Sequence, residues 1–381
     1  MGTKLLLTLF LRGGADGLSI VAPSRDPDYR AARPGPLRVE APPKRSRLYL
    51  AEPLADVGFC FHPRAAALAE LYAAGQLSVV HATGLVDPTR SHFDAEERME
   101  RAAPGQGARL GGWLARWLEQ ARPAGILPAF AIGDSIPESL RGAARVATAP
   151  QLAGLRLAPG HGYAAALRTA LVRSLPPEFP LAGPLEHALE LSREIEARVG
   201  VDEQGALLPY QPKAEYPAGS NLALALQSLV QAIGLDLGLR VATLDFGGFD
   251  THVNQAGSLP PLIEELSACL AAFWQDLGPR REEVTVVVMS EFGRRLRANQ
   301  SGGTDHGHGN LLLVLDATQR GGRMYGTWPT LANSALDAGA DLAITTDYRH
   351  VLCEALVHAL GPCDRAAIFP GFSPLPLGLW S

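Results

Sequence analysis

VTVVVMSEFGRRLRANQSGGTDHGHGNLLLVL, residues 284–315, holds two apolar runs on either side of a loop crowded with carboxylates and imidazoles. Val284 to Met289 is β-branched and too short for a helix. It stops at Ser290-Glu291-Phe292-Gly293, as a buried parallel strand does at its carboxyl end. Leu311 to Leu315 reads as a second strand. Between them, Asp305-His306-Gly307-His308 supplies an oxygen donor and two imidazoles, and Gly302, Gly303, Gly307 and Gly309 let the backbone turn those side chains inward. Read alone, the loop is also a good surface turn, with Asp305 bonding its own backbone.

A second cluster shifts that reading toward chemistry. Val241 to Phe246 is another short apolar strand, followed directly by Gly247-Gly248-Phe249-Asp250-Thr251-His252. Lys4 to Leu11 is a first strand ending in Gly13-Gly14, with Asp16 just beyond, although Asp16 also suits a simple Asp-Gly turn. In open α/β sheets, ligands bind beyond the carboxyl ends of strands. Asp250/His252, Glu291 and Asp305/His306/His308 are therefore expected to build one metal or anion site from separated segments.

The chain has 381 residues, 47% of them hydrophobic, enough for a large core in one big domain or two smaller ones. A net charge of -5 gives no support for binding nucleic acid or an anionic membrane. Cys60, Cys269, Cys353 and Cys363 show no paired spacing, which excludes a zinc knuckle and predicts free, mostly buried thiols. Lys4 and the apolar run after it imitate a short secretion signal, but no small-residue cleavage site follows and no run has the ~20 apolar residues of a membrane span. As it stands the chain reads as cytoplasmic, and as periplasmic or exported if a leader precedes it.

Between these anchors, residues 24–53 are rich in Pro and Arg and read as a long surface excursion. His62-Pro63 opens a helix through Ala74, and Leu77 to Val80 is the next strand. The loop after it leads to Ser91, whose spacing to Asp94 fits a helix N-cap. A hydroxyl there is also well placed as a nucleophile toward an anionic ester, because free N–H groups and the helix dipole stabilise negative charge. Leu110 to Gln120 is a short helix with Trp113 and Trp117 packing one turn apart, and Phe130 to Ile132 a strand. Residues 137–217 read as a mainly helical insertion within a single domain spanning 1–381. Helices follow at Asn221–Leu237, Leu259–Leu277 and Asp347–Leu360, the last with His350 and His358 as packing or surface residues.

The segments LRGGADGL, RSHFDAE, GGFDTHVNQ, SEFGRR and GTDHGHGN, in that order, resemble the bacterial proteins grouped as domain of unknown function family 1501, which are similar to the alkaline phosphatase and sulfatase superfamily. The resemblance implies an α/β fold, a three-layer α/β/α sandwich with a largely parallel central sheet. It implies Asp16 as the first-strand metal ligand, Ser91 or Thr89 as nucleophile, Asp250 and His252 as the next ligand pair, and His306 or His308 as the last histidine. Two departures stand out: Glu291-Phe292 replaces an Asp-His pair, so Asp305 or the spare histidine must fill the gap, and Asp250/His252 are closer in sequence than the superfamily's pair. Ser91 also lacks the Cys/Ser-x-Pro-x-Arg setting of a formylglycine sulfatase.

These readings lead to the expectation of a metal-dependent hydrolase of a phosphate or sulfate ester, using Ser91 or a metal-activated water. The substrate is a small-molecule or glycan ester. The cofactor is a divalent metal, zinc first and manganese, magnesium or calcium after it, with Arg12 and Arg294 clamping the anion. Alternatives are a non-catalytic metal- or glycan-binding protein on a degenerate hydrolase fold and a phosphomutase of the same superfamily. One geometric test is built in: His252 and His306 must lie within about 12 Å of each other to share a site.

Overall fold

The first strand, LLLTLFL, has no polar face because it is covered on both sides. In the computed structural model, which describes residues 4–50, 56–103, 111–157, 163–174 and 179–380, every residue of β1 (Leu5–Leu11) is buried. The other strands are β2 (Val21–Pro23), β3 (Phe59–Phe61), β4 (Leu77–Gly84), β5 (Ala129–Ile132), β6 (Ala147–Ala149), β7 (Val241–Phe246), β8 (Val284–Met289), β9 (Asn310–Leu315), β10 (Met324–Tyr325) and β11 (Thr346–Asp347). The main sheet runs β10-β4-β9-β8-β1-β7-β5-β6, with β11 also alongside β4, while β2 and β3 form a separate antiparallel pair. β1 pairs in parallel with β7 and with β8, in keeping with the largely parallel sheet that the resemblance implies. Among the described residues of this sheet, only β9 runs against the rest, antiparallel to both β8 and β4. The loop joining β8 to β9 therefore leaves and re-enters the sheet on one rim.

Helices cover both faces. In chain order they are α1 (Gly17–Ile20), α2 (Pro27–Ala32), α3 (Ala66–Ala73), α4 (His92–Arg101), α5 (Trp113–Ala121), α6 (Ala164–Ser174), α7 (Ala182–Val199), α8 (Asn221–Gly234), α9 (Gln255–Asp276), α10 (Tyr348–Leu360) and α11 (Arg365–Ile368). Alternate residues of β1 enter two different cores. Leu5, Leu7, Leu9 and Leu11 pack with residues of α3, α8 and α9, whereas Leu6 and Phe10 pack with residues of α4, α5 and α10. The molecule is thus a three-layer α/β/α sandwich. Truncating Leu7 to alanine in the middle of it would cost about 2–5 kcal/mol. Among the described residues, no helix is long and apolar enough to cross a membrane.

Several local expectations need correction. The 24–53 excursion is not confined to the surface. It holds α2 and buries Tyr29, Arg33, Val39 and Leu50, and its last residues lie outside those described. The helix after His62 begins as a 3₁₀ turn at Pro63–Ala65 before α3. Helix α9 starts at Gln255 rather than Leu259 and carries Pro260 and Pro261 inside it. The carbonyls for which these prolines offer no N–H belong to Ala256 and Gly257, both exposed to solvent. The 137–217 segment contains α6 and α7 but also β6, which pairs in parallel with β5 at the sheet edge. The helix around Trp113 and Trp117 is α5, with both rings buried, and Leu110 lies outside the described residues. All four cysteines are free, three of them buried.

Candidate metal centre

Beyond the carboxyl ends of β1, β7 and β8 the backbone is drawn together by one side chain. Arg294 is fully buried, and its Nε donates to Gly14 O at 2.6 Å and its Nη1 to Thr304 O at 2.9 Å. Its Nη2 reaches Gly13 O, Phe249 O at 2.9 Å and Asp250 Oδ1 at 2.7 Å. A planar guanidinium with five donors is the group suited to tie three loops at once. Gly13 has φ +112 and lies so close to the 249–250 turn that an added Cβ would meet Asp250 N at 2.5 Å. That turn points the N–H groups of Gly13 and Gly14 at Glu291 Oε1, 2.8 and 2.9 Å away.

Glu291 is wholly buried, and its oxygens also accept from Ser290 Oγ at 2.9 Å and His92 Nδ1 at 2.7 Å. Burial alone would raise its carboxyl, but the bonds from His92, the backbone and Ser290 outweigh this and hold it below the usual range. The same pattern recurs twice. His252 Nδ1 lies 3.0 Å from Asp305 Oδ1, and His306 Nδ1 lies 2.8 Å from the Arg90 carbonyl. Carbonyl and ionised carboxylate oxygens only accept, so each of the three Nδ1 atoms carries a proton, and in the neutral imidazole each Nε2 then presents a lone pair.

The three Nε2 atoms surround one carboxylate oxygen. Asp250 Oδ1 lies 3.1 Å from His252 Nε2, 3.1 Å from His306 Nε2 and 3.5 Å from His92 Nε2. His252 Nε2 and His306 Nε2 are 2.9 Å apart, and His92 Nε2 is buried with no hydrogen-bond partner. Bare nitrogens at that separation repel unless a proton or a cation lies between them. A tetrahedral shell with metal–nitrogen bonds of about 2.0–2.1 Å has donor–donor edges of about 3.3 Å, close to the spacings found. Imidazoles anchored through the second nitrogen are also the usual arrangement of metal-ligating histidines. The residues therefore fit a divalent metal held by His92, His252, His306 and Asp250.

Burial would raise the Asp250 carboxyl, but the bond from Arg294 leads the effects that hold it down to about 2. The Glu291 hydrogen bond raises His92, and burial lowers His306. The ring of Phe292 lies against His92 and His306, with centroids 4.9 and 4.8 Å away, so it supports the histidines and ligates nothing. His92, Asp250 and His306 bring one donor atom from each within 4.8 Å of the others, and a second grouping, His92, Glu96 and Glu291, does the same. Its Glu291 is already saturated and its Glu96 pairs with Arg12 at 3.5 Å, so the free lone pairs belong to the first grouping.

The structure brings together Asp250, His252, Asp305 and His306, with Glu291 joined to them through His92. It does not bring the other expected ligands to the same point. Asp16 is fully buried behind the loops, where Arg33 Nη1 and Nη2 bond it at 2.6 and 3.1 Å, Ser19 at 2.7 Å and Gln255 at 2.6 Å. Burial would raise its carboxyl, but Arg33 carries it below the usual range, and its hydrogen-bond partners are Arg33, Ser19 and Gln255 rather than any of the histidines. Gln255 in turn accepts from Thr251 and Thr304, so Asp16 supports the ligand loops from behind. His308 points away, its Nδ1 2.7 Å from Asp337 Oδ2 and its Nε2 3.0 Å from Leu85 O.

Nor do the two arginines form an anion clamp. All three nitrogens of Arg294 are occupied as described, and Arg12 pairs with Glu96, Glu100 and Asp245. Ser91 is the N-cap of α4, exposed, with Oγ 3.5 Å from Asp94 N. It lies between Arg90, which anchors His306, and His92.

His92 is the residue sequence reasoning missed. It stood inside the quoted RSHFDAE segment, beside the serine that drew attention. His92, Glu96 and Glu100 recur at i, i+4 and i+8, a one-face polar stripe that could have flagged it. On that stripe burial foremost, then Glu291, Glu100 and Asp245, lift the Glu96 carboxyl to about 7 against the opposing charge of Arg12.

No curated protein matches this chain. Among solved structures, the C-terminal periplasmic domain of EcEptC from Escherichia coli in complex with Zn is similar at 10% identity and a TM-score of 0.38, over 83% of this chain and 74% of that one. A protein in the alkaline phosphatase superfamily from Vibrio parahaemolyticus is similar at 9% identity and 0.38, over 85% and 62%. The phosphonate monoester hydrolase of Agrobacterium radiobacter is similar at 12% identity and 0.31, over 87% and 73%. Residues 185–355, which carry the GGFDTHVNQ, SEFGRR and GTDHGHGN segments, match the family described as protein of unknown function (DUF1501).

Proposed function

We propose that this protein is a metal-dependent hydrolase of a phosphate or sulfate ester, with His92, His252, His306 and Asp250 holding the metal. The observation that carries the reading is the convergence of three Nδ1-tethered imidazoles on Asp250 Oδ1, with His92 Nε2 left unpartnered. Nitrogen-rich donors favour zinc, with manganese, magnesium and calcium as weaker fits. When bound, a divalent metal polarises the ester and lowers the pKa of the attacking hydroxyl or water. The protein's own part is to keep Asp250 ionised through Arg294 and to hold three imidazoles in one tautomer. Ser91, exposed at the amino end of α4, is the side-chain hydroxyl proposed to attack, and its N-terminal position favours negative charge there. Glu96, near 7, can hold or release a proton at neutral pH. The substrate is a small-molecule or glycan ester.

A second reading, a non-catalytic metal-binding protein, is favoured by one observation: Arg12 and Arg294 are both occupied by protein partners, leaving neither to grip an anion. Metal content of the purified protein and turnover of aryl phosphates, phosphodiesters and sulfates with added zinc or manganese separate the two. Metal bound without turnover selects the binding protein. Absence of stoichiometric metal under all conditions removes both.

A further inference from the structure

Arg90 does two things at once. Its carbonyl accepts the Nδ1 proton of His306 at 2.8 Å, and two residues later the chain supplies His92. Its side chain is held by Asp341, a fully buried carboxylate whose Oδ2 takes Arg90 Nε at 3.1 Å and Nη2 as well. Asp337 stands 3.7 Å from the same guanidinium. The other oxygen of Asp341 has no hydrogen-bond partner, its nearest cation being the half-exposed Arg295 at 3.9 Å. A position shaped only for packing is filled more stably by an apolar side chain than by a half-satisfied buried charge.

We propose that Asp341 is a positioning residue for the metal centre. It acts through Arg90 to place the His306 anchor and the entry of α4, and so the directions of two of the three imidazoles. This rests on the metal reading above. Asp341 and Arg90 touch no metal and no substrate, so their effect must appear in affinity and ligand geometry.

The test uses Asp341→Asn, which keeps the shape and removes the charge, and Arg90→Gln. Arg90 is 30% exposed, so its replacement is tolerated even if the buried site is not. Zinc affinity is measured by competition with a chromophoric chelator, ligand geometry by the visible spectrum of the cobalt-loaded protein, and stability by melting of the metal-free form. Each variant is expected to bind zinc about 10-fold more weakly, the lower end for loss of an outer-sphere partner. The cobalt bands should shift, the double variant should be no worse than the weaker single one, and Arg90→Lys should recover part of the loss. Wild-type zinc affinity and an unchanged cobalt spectrum in both variants overturn the proposal, whatever happens to the metal-free melting temperature. Since His92→Ala must still lose zinc in that case, the metal reading survives it. A wild-type protein that binds no zinc overturns both.

Discussion

Replacing His92 with alanine removes one of the three Nε2 atoms that face Asp250 Oδ1, the one 3.5 Å away. Zinc bound by four protein donors is worth about 10–16 kcal/mol, so one donor accounts for about 3 kcal/mol, or about 100-fold in dissociation constant. The substitution also takes one partner from Glu291, which keeps Gly13, Gly14 and Ser290. That loss lowers metal-free stability by about 1–3 kcal/mol. The two effects separate in a melting experiment. At a zinc concentration about 100 times the wild-type dissociation constant, metal stabilises the wild type by about 2.7 kcal/mol, but a variant bound 100-fold more weakly by only about 0.4 kcal/mol. Scanning calorimetry with zinc and with chelator should show a clear metal-induced rise in Tm for the wild type and almost none for His92→Ala. If the variant kept the full rise, His92 would not be a ligand and the three-imidazole centre would be refuted.

Ser91→Ala should abolish ester turnover while leaving zinc affinity intact, and the long Oγ–N contact of 3.5 Å puts the lost cap at about 0.5 kcal/mol. Persistent turnover would transfer the attack to water. Asp16→Asn breaks the buried pair with Arg33 and should destabilise the metal-free protein by about 3–5 kcal/mol in urea titration, with zinc affinity changed less than about 3-fold. A large affinity loss at unchanged stability would return Asp16 to the ligand set. His81 is buried with Nε2 3.1 Å from Val21 O and Nδ1 accepting from Ala82 N, and burial lowers it to about 4. Because the folded value lies below the unfolded 6.5, the unfolded chain takes up the proton first, so this contribution is complete above pH 6.5 and fades as pH falls toward 4. The stability gap between wild type and His81→Asn should therefore shrink by about 3 kcal/mol between pH 7.5 and pH 4, and a constant gap would contradict the assignment.

Strands were the most legible part of the sequence, because strands buried on both faces leave little room for polar residues. Val241–Phe246 and Val284–Met289 match the structure at both ends. The reversal of β9 was not visible, since an apolar run carries no sign of its direction. At the site, glycine turns announced Asp250, His252, Asp305 and His306, and the expected proximity of His252 to His306 is met at 2.9 Å. Asp16 and His308 looked like the others in sequence. Their partners Arg33 and Asp337 come from segments whose approach depends on the tertiary fold. His92 was hidden for the opposite reason: its tether, Glu291, lies 199 residues away, and no local pattern states that pairing.

The central place of β1 bears on how the chain is made. This strand is made long before its two neighbours, β7 and β8, which lie more than 200 residues further along the chain, so its ladder partners are not available until late in synthesis. The three imidazoles are spread in the same way, on segments following β4 and β7 and preceding β9. Their convergence is thus a late event, and binding at that point would report that the sheet has been completed in the right order. A nascent chain stalled before His306 should hold the metal poorly and its apolar first strand openly, which makes it a natural client for chaperones.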